Sequence, residues 1–211
     1  MRSLPQPALL LITDRRQATR PLDWVVAAAL EGGIRWISLR EKDLDPEARF
    51  DLLRRLQRLT TAAGAVLMVH DDVDAARRLG LDGVHLPESG DAAQARVLLP
   101  EALIGQSWHG DPGAAMIRDP TLDYLSLSPI FLTESKPGYG PALGPEGLQH
   151  AAILTKKPLI GLGGIDADKI AACRGAGAAG VAVMGEIMRA GDPSRAAAAL
   201  VARLIASSAR R

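Results

Sequence analysis

The chain has 211 residues, 47% of them hydrophobic, enough for one sizeable core and consistent with a single domain over 1–211. Lys and Arg total 25 against 24 Asp and Glu, and aromatics are only 3%, which excludes a global field for nucleic acid or anionic membranes and a base-stacking platform. A lone cysteine, Cys173, excludes an internal disulfide and a thiolate zinc cluster, and the apolar run Ala8–Ile12 is too short for a signal or a membrane span, so a cytoplasmic protein is expected.

Short apolar runs alternate with helical patterns along the whole chain. Strands are predicted near 8–13, 34–39, 65–69, 82–86, 103–107, 123–128, 158–162 and 180–184. Helices are predicted near 21–32, 46–63, 73–80, 91–99, 111–119, 145–155, 166–175 and 193–208. Asp45-Pro46 is a cap followed by a first-turn proline, and Leu52, Leu53, Leu56 and Leu59 then repeat at helical spacing with Arg54, Arg55 and Arg58 on the wet side. Gly32-Gly33 closes the first helix. This alternation predicts an α/β chain folded as a (β/α)8 barrel, the TIM-barrel class. One long connection, 128–144, breaks the rhythm and is expected to be a binding loop or lid.

Barrel chemistry sits just beyond the strand ends, so those positions are the candidates. Strand two ends in Ser38-Leu-Arg-Glu-Lys42, where Arg40 and Lys42 form a two-cation clamp suited to a diphosphate. Strand three ends in His70-Asp71-Asp72; Asp71 is a candidate Mg2+ ligand and Asp72 a helix cap. His85 through Asp91 follow strand four, and Ser107-Trp-His109 ends strand five. Thr133, Ser135 and Lys136 in the long loop offer hydroxyls and a cation for phosphate, with Glu134 between them. The last two turns, Gly163-Gly164 and Met184-Gly185, let backbone amides approach an anion. A small phosphorylated substrate is the expectation; a homo-oligomer stays open.

Leu11–Asp14, Leu39–Lys42, Asp82–Leu86, Ser128–Phe131, Thr133–Lys136, Gly163–Ile165 and Gly180–Val183, in that order, resemble the thiamine phosphate synthase family, which also holds thiazole tautomerases. The resemblance implies a transferase that couples hydroxymethylpyrimidine diphosphate to thiazole phosphate in thiamine biosynthesis, with pyrophosphate released. It assigns Arg40, Lys42 and Lys136 to the diphosphate and Asp71 to Mg2+. Ser107 falls in the pyrimidine pocket, Ser38 stands where an amide addresses the pyrimidine, His70 is a catalytic candidate just before the metal Asp71, and Thr133, Ser135, Gly164 and Met184-Gly185 fall at the thiazole phosphate. Departures are Ser38 for Gln, His70 for Asn, and Gly90 where a second metal Asp is expected, leaving Glu88 or Asp91 as substitutes. Alternatives are the tautomerase, an isomerase, with His70 or His109 as acid/base, and a non-catalytic regulator binding thiamine-pathway phosphates.

Overall fold

The computed structural model describes residues 2–133, 138 and 140–208. Eight strands close into a barrel in sequence order: β1 (Leu9–Ile12), β2 (Trp36–Leu39), β3 (Val66–His70), β4 (Gly83–Leu86), β5 (Leu103–Trp108), β6 (Tyr124–Leu127), β7 (Leu159–Leu162) and β8 (Gly180–Val183). Neighbours are parallel throughout, and β8 returns to β1 with Leu10 opposite Ala182. Around them run α1 (Leu22–Glu31), α2 (Pro46–Ala62), α3 (Val73–Leu79), α4 (Ala92–Leu98), α5 (Gly144–Leu154), α6 (Ile170–Gly175), α7 (Gly185–Met188) and α8 (Pro193–Ser208). This is the expected (β/α)8 class.

The strands are mostly apolar because both faces are covered: β1, β7 and β8 carry no polar side chain, and β2 to β6 each carry one or two. Leu9, Leu11, Ile37 and Leu39 point out to the helices, whereas Leu10, Ile12, Trp36, Met68, Leu103, Tyr124, Ile160 and Ala182 fill the barrel itself. The rings of Trp36 and Tyr124 meet edge to face at 5.0 Å. Gly105, directly across from Tyr124 in the ladder, has no room for a side chain: a Cβ there would fall inside the tyrosine ring.

Local chemistry sets the helix ends. Asp45 Oδ1 accepts from the amides of Glu47 and Ala48 at 3.1 and 3.0 Å, so α2 starts where its cap and proline predict. Leu52, Leu53 and Leu56 are buried below exposed Arg54, Arg55 and Arg58. Asp72 and Asp91 cap α3 and α4 by accepting from Ala75 and Gln94 amides, each at 2.9 Å.

The sequence departs from the fold at three helices. The helix expected over 111–119 shrinks to a 3-10 turn at Ala115–Ile117. Pro112 and Gly113 punctuate its start and Pro120 restricts Asp119, so only one turn survives. Trp108 covers that stretch instead: it points outward from β5, is fully buried, and donates from Nε1 to the Asp111 carbonyl at 2.9 Å. The helix expected over 166–175 starts only at Ile170, because Asp166 Oδ1 takes the amides of Asp168 and Lys169, each at 3.1 Å, into a side-chain turn. The short α7 after β8 has no counterpart among the predicted helices. The other two tryptophans lie elsewhere, Trp36 inside the barrel and Trp24 on α1, 49% exposed with Arg20 over its ring.

At the opposite end from the strand tips, Asp123 fastens the base. Its carboxylate accepts from the Arg2 amide (2.7 Å), the buried Ile104 amide (2.9 Å) and Arg96 Nη2 (2.7 Å). Arg96 also donates to the carbonyls of Thr121, Pro100 and Ala102. Among the described residues, no helix is long and apolar enough to cross a membrane.

Candidate active site

The strand tips open into one cavity of about 560 Å3 at the barrel rim. Two walls differ in chemistry. On the first, β2 to β5 present Arg40, Lys42, His70, His85, Glu88, Ser107 and His109. On the second, the turns after β6, β7 and β8 present Thr133, Gly163, Gly164, Met184 and Gly185.

Arg40 and Lys42 come from a turn that is locked in place. The Arg40 amide donates to Thr13 Oγ1 at 3.0 Å, and that hydroxyl donates to Glu41 Oε1 at 2.8 Å. Glu41, 2% exposed, also accepts from the Arg15 amide and guanidinium at 3.1 and 3.2 Å. Arg15 then forks onto Asp43 through contacts of 2.7 and 2.9 Å. That bidentate pair is the main reason the Asp43 carboxyl titrates below its ordinary range. Glu41 therefore ties the β1 and β2 turns together from behind, and Arg40 and Lys42 on either side of it face the cavity.

The floor is a neutral hydrogen-bonded cluster. His85 places Nδ1 2.9 Å from the Tyr124 hydroxyl and Nε2 3.1 and 3.2 Å from the hydroxyls of Ser107 and Ser126. His70 lies against it with ring centroids 5.4 Å apart. Burial, and after it the positive charge of Arg40, push the His85 pKa down from 6.5 to about 4. The unfolded chain thus binds a proton between those values that the folded imidazole refuses. The stability owed to this group is complete above pH 6.5 and is lost as pH falls to about 4. Urea unfolding across that window is expected to show a loss of roughly 1.4 kcal/mol per pH unit from this group, absent in His85→Asn. Identical slopes for the two proteins would remove His85 as the source.

The second wall is built from glycine and stitched to the long loop. Gly163 and Gly164 have φ of 106° and 60°, the left-handed region, and a Cβ on Gly164 would strike the Leu132 carbonyl. The Phe131 amide donates to the Gly163 carbonyl and the Ile130 amide to that of Leu162, each at 2.9 Å. Lys169 closes the turn by donating to the Gly164 carbonyl at 2.8 Å while it pairs with Asp166 at 2.8 Å.

Not every predicted residue reaches this space. Ser38 points into the barrel but is 1% exposed and lies outside the cavity lining. Asp71 stands on the exposed rim with φ 59°, also outside the lining. Asp91 is spent on the α4 cap. Glu88 lines the cavity, accepting from the His109 amide at 3.3 Å with the imidazole Nε2 3.9 Å away. Glu134, Ser135 and Lys136 lie outside the described residues. Sequence reading passed over Asp14, Arg16, Lys169 and Arg189, which also line the cavity. Arg189 sits four residues after Gly185, so helical periodicity beyond β8 is the signal that finds it.

A thiamine monophosphate synthase family model matches residues 9–187, from the first strand to α7. The chain belongs to this family. A Geobacter sulfurreducens protein, which carries the name thiamine-phosphate synthase provisionally, is 45% identical over 203 residues, covering 93% of this chain and 94% of the relative. The thiamine-phosphate synthase of a Roseiflexus species is 40% identical over 201 residues, covering 94% and 85%. Among solved structures, thiamine phosphate pyrophosphorylase from Pyrococcus furiosus superposes with a TM-score of 0.83 at 29% identity, over 94% of this chain and 96% of that one.

Proposed function

We propose that this family member is a thiamine phosphate synthase acting in the cytoplasm on two small phosphorylated substrates. The observation that carries the reading is the two-walled cavity: cations from the β2 turn face glycine-lined turns after β7 and β8 across one space. A diphosphate and a phosphate monoester need such opposed anion sites, and a joining reaction needs them within reach of each other.

In the proposed reaction the bond from the pyrimidine methyl carbon to the diphosphate oxygen breaks, its electron pair leaving with pyrophosphate. The thiazole nitrogen then donates its lone pair to that carbon. Charge grows on the leaving oxygens, and Arg40 and Lys42 are preplaced to neutralise it, Arg40 by its planar fork and Lys42 as a point charge. Lys136 joins them in the reading from sequence. Ser107, Ser126 and Tyr124 hold neutral His85 beneath the pyrimidine ring. Thr133 with the Gly163-Gly164 and Met184-Gly185 turns takes the thiazole phosphate.

Among the described residues no cluster of three or more His, Cys, Asp or Glu side chains is built to hold a metal ion. Glu88 is the carboxylate that faces the cavity between β4 and β5, and one carboxylate plus substrate phosphate oxygens fits the way Mg2+ is usually carried. Glu88 would hold the ion, and bound there it would supply further positive charge to the diphosphate.

The test mixes purified protein with both substrates and Mg2+ and follows pyrophosphate and thiamine phosphate. Stoichiometric appearance of both is expected. Proton exchange on a thiazole carboxylate phosphate with no pyrophosphate released would replace the synthase by an isomerase.

A further inference from the structure

We infer that Arg189 supplies a guanidinium to the phosphate monoester at the second wall, and so sets the preference for a phosphorylated over an unphosphorylated thiazole. This rests on the synthase reading and names the residue that discriminates its second substrate.

The first observation is where the side chain goes. Arg189 follows the last residue of α7, and its guanidinium folds back over the first residue of that helix. A Cβ on Gly185 would overlap Nη1, Cζ and Nη2 of Arg189. Gly185 is not among the residues of positive φ, so what it contributes is room for this group rather than an unusual backbone.

The second observation is how the side chain is held. Arg189 Nη1 donates to Gln17 Oε1 from the β1 turn. Gln17 is itself oriented, donating from Nε2 to Asp14 Oδ2 at 2.7 Å and to the Met184 sulfur at 3.4 Å. The guanidinium is therefore placed by residues of both flanking turns, and it lines the same cavity as Gly164 and Gly185.

Charge explains the need. Among the described residues around this wall, the cavity lining carries the carboxylates of Asp14, Asp166 and Glu186 and the cations Arg16, Lys169 and Arg189. Asp14 is paired with Arg16 at 3.3 Å and Asp166 with Lys169 at 2.8 Å. Among these described side chains, removing Arg189 leaves three carboxylates against two cations, a balance unfavourable to a dianion; with Arg189 the described charges are equal, and its guanidinium would offer donors to phosphate oxygens. Backbone amides alone recognise an anion, and a guanidinium added to them penalises the neutral alcohol.

Calorimetric titration of Arg189→Gln against wild type decides the matter, using thiazole phosphate, the unphosphorylated hydroxyethylthiazole, and the pyrimidine diphosphate as probes. The expected result is a loss of about 10- to 100-fold in affinity for thiazole phosphate, the range of a charged hydrogen bond, with the other two unchanged. Unchanged affinity for the phosphate, or an equal loss for both thiazoles, overturns the inference. Gly185→Ala, which displaces the guanidinium, is expected to give the same selective loss and to add nothing in the double variant; additive losses overturn it as well. If wild type binds thiazole phosphate but releases no pyrophosphate, the synthase reading fails while the phosphate selectivity still decides Arg189.

Discussion

Arg40→Ala is expected to lower kcat/KM for pyrophosphate release by about 10²- to 10³-fold, the usual effect of removing one preorganised charge partner from a transition state. The size follows from how little freedom the wild-type turn has. The Arg40 amide is pinned by Thr13, Thr13 by Glu41, and Glu41 by Arg15, so the turn that carries the guanidinium is preorganised for the proposed diphosphate site. Arg40→Lys keeps the charge and loses the fork, so only partial recovery is expected. The same substitution has a second readout. Because the charge of Arg40 is a cause of the low His85 pKa, Arg40→Ala lets that pKa rise, which imidazole NMR follows. Full activity in Arg40→Ala would move the diphosphate elsewhere.

Asp123→Ala is expected to destabilise the protein by about 3–5 kcal/mol, the cost of breaking a buried charge pair from one side. Asp123 is 2% exposed, and its removal strands the buried Ile104 amide while leaving Arg96 without its carboxylate. For a protein of this size that corresponds to a fall in Tm on the order of 10 °C by calorimetry. Asp123→Asn retains an acceptor for the Ile104 amide and is expected to lose less. A change of under about 1 kcal/mol in the alanine variant would mean that Arg96 holds the base through its carbonyl contacts alone.

The barrel was readable because a parallel strand covered on both faces writes an unbroken apolar run, as Leu9–Ile12 and Leu159–Leu162 do. The stretch 111–119 misled because Ala114–Ile117 has helical composition, whereas Pro112, Gly113 and Pro120 decide the backbone. Strand tips likewise announced Arg40, Lys42, His70 and Ser107 as cavity neighbours. Depth was not announced: alternation puts Ser38 and Arg40 on one face, but only the packing of Ile12 and Met68 around the barrel axis shows that Ser38 lies below the open space. Asp91, a candidate metal ligand in the sequence, caps α4 and lies outside the cavity lining, and a cap and a ligand look alike in one dimension. Arg189 escaped because it caps a helix absent from the predicted elements, its guanidinium lying in space left by a glycine four residues earlier.

The three indoles sit at three depths: Trp24 wet, Trp36 on the barrel axis, Trp108 sealing the wall that has no full helix over it. Their fluorescence is consequently a built-in depth gauge. Iodide quenches Trp24 first; in a Trp24→Phe background, quenching that appears on mild heating and is lost on further replacing Trp108 by Phe reports that the thin β5–β6 side has parted before the rest.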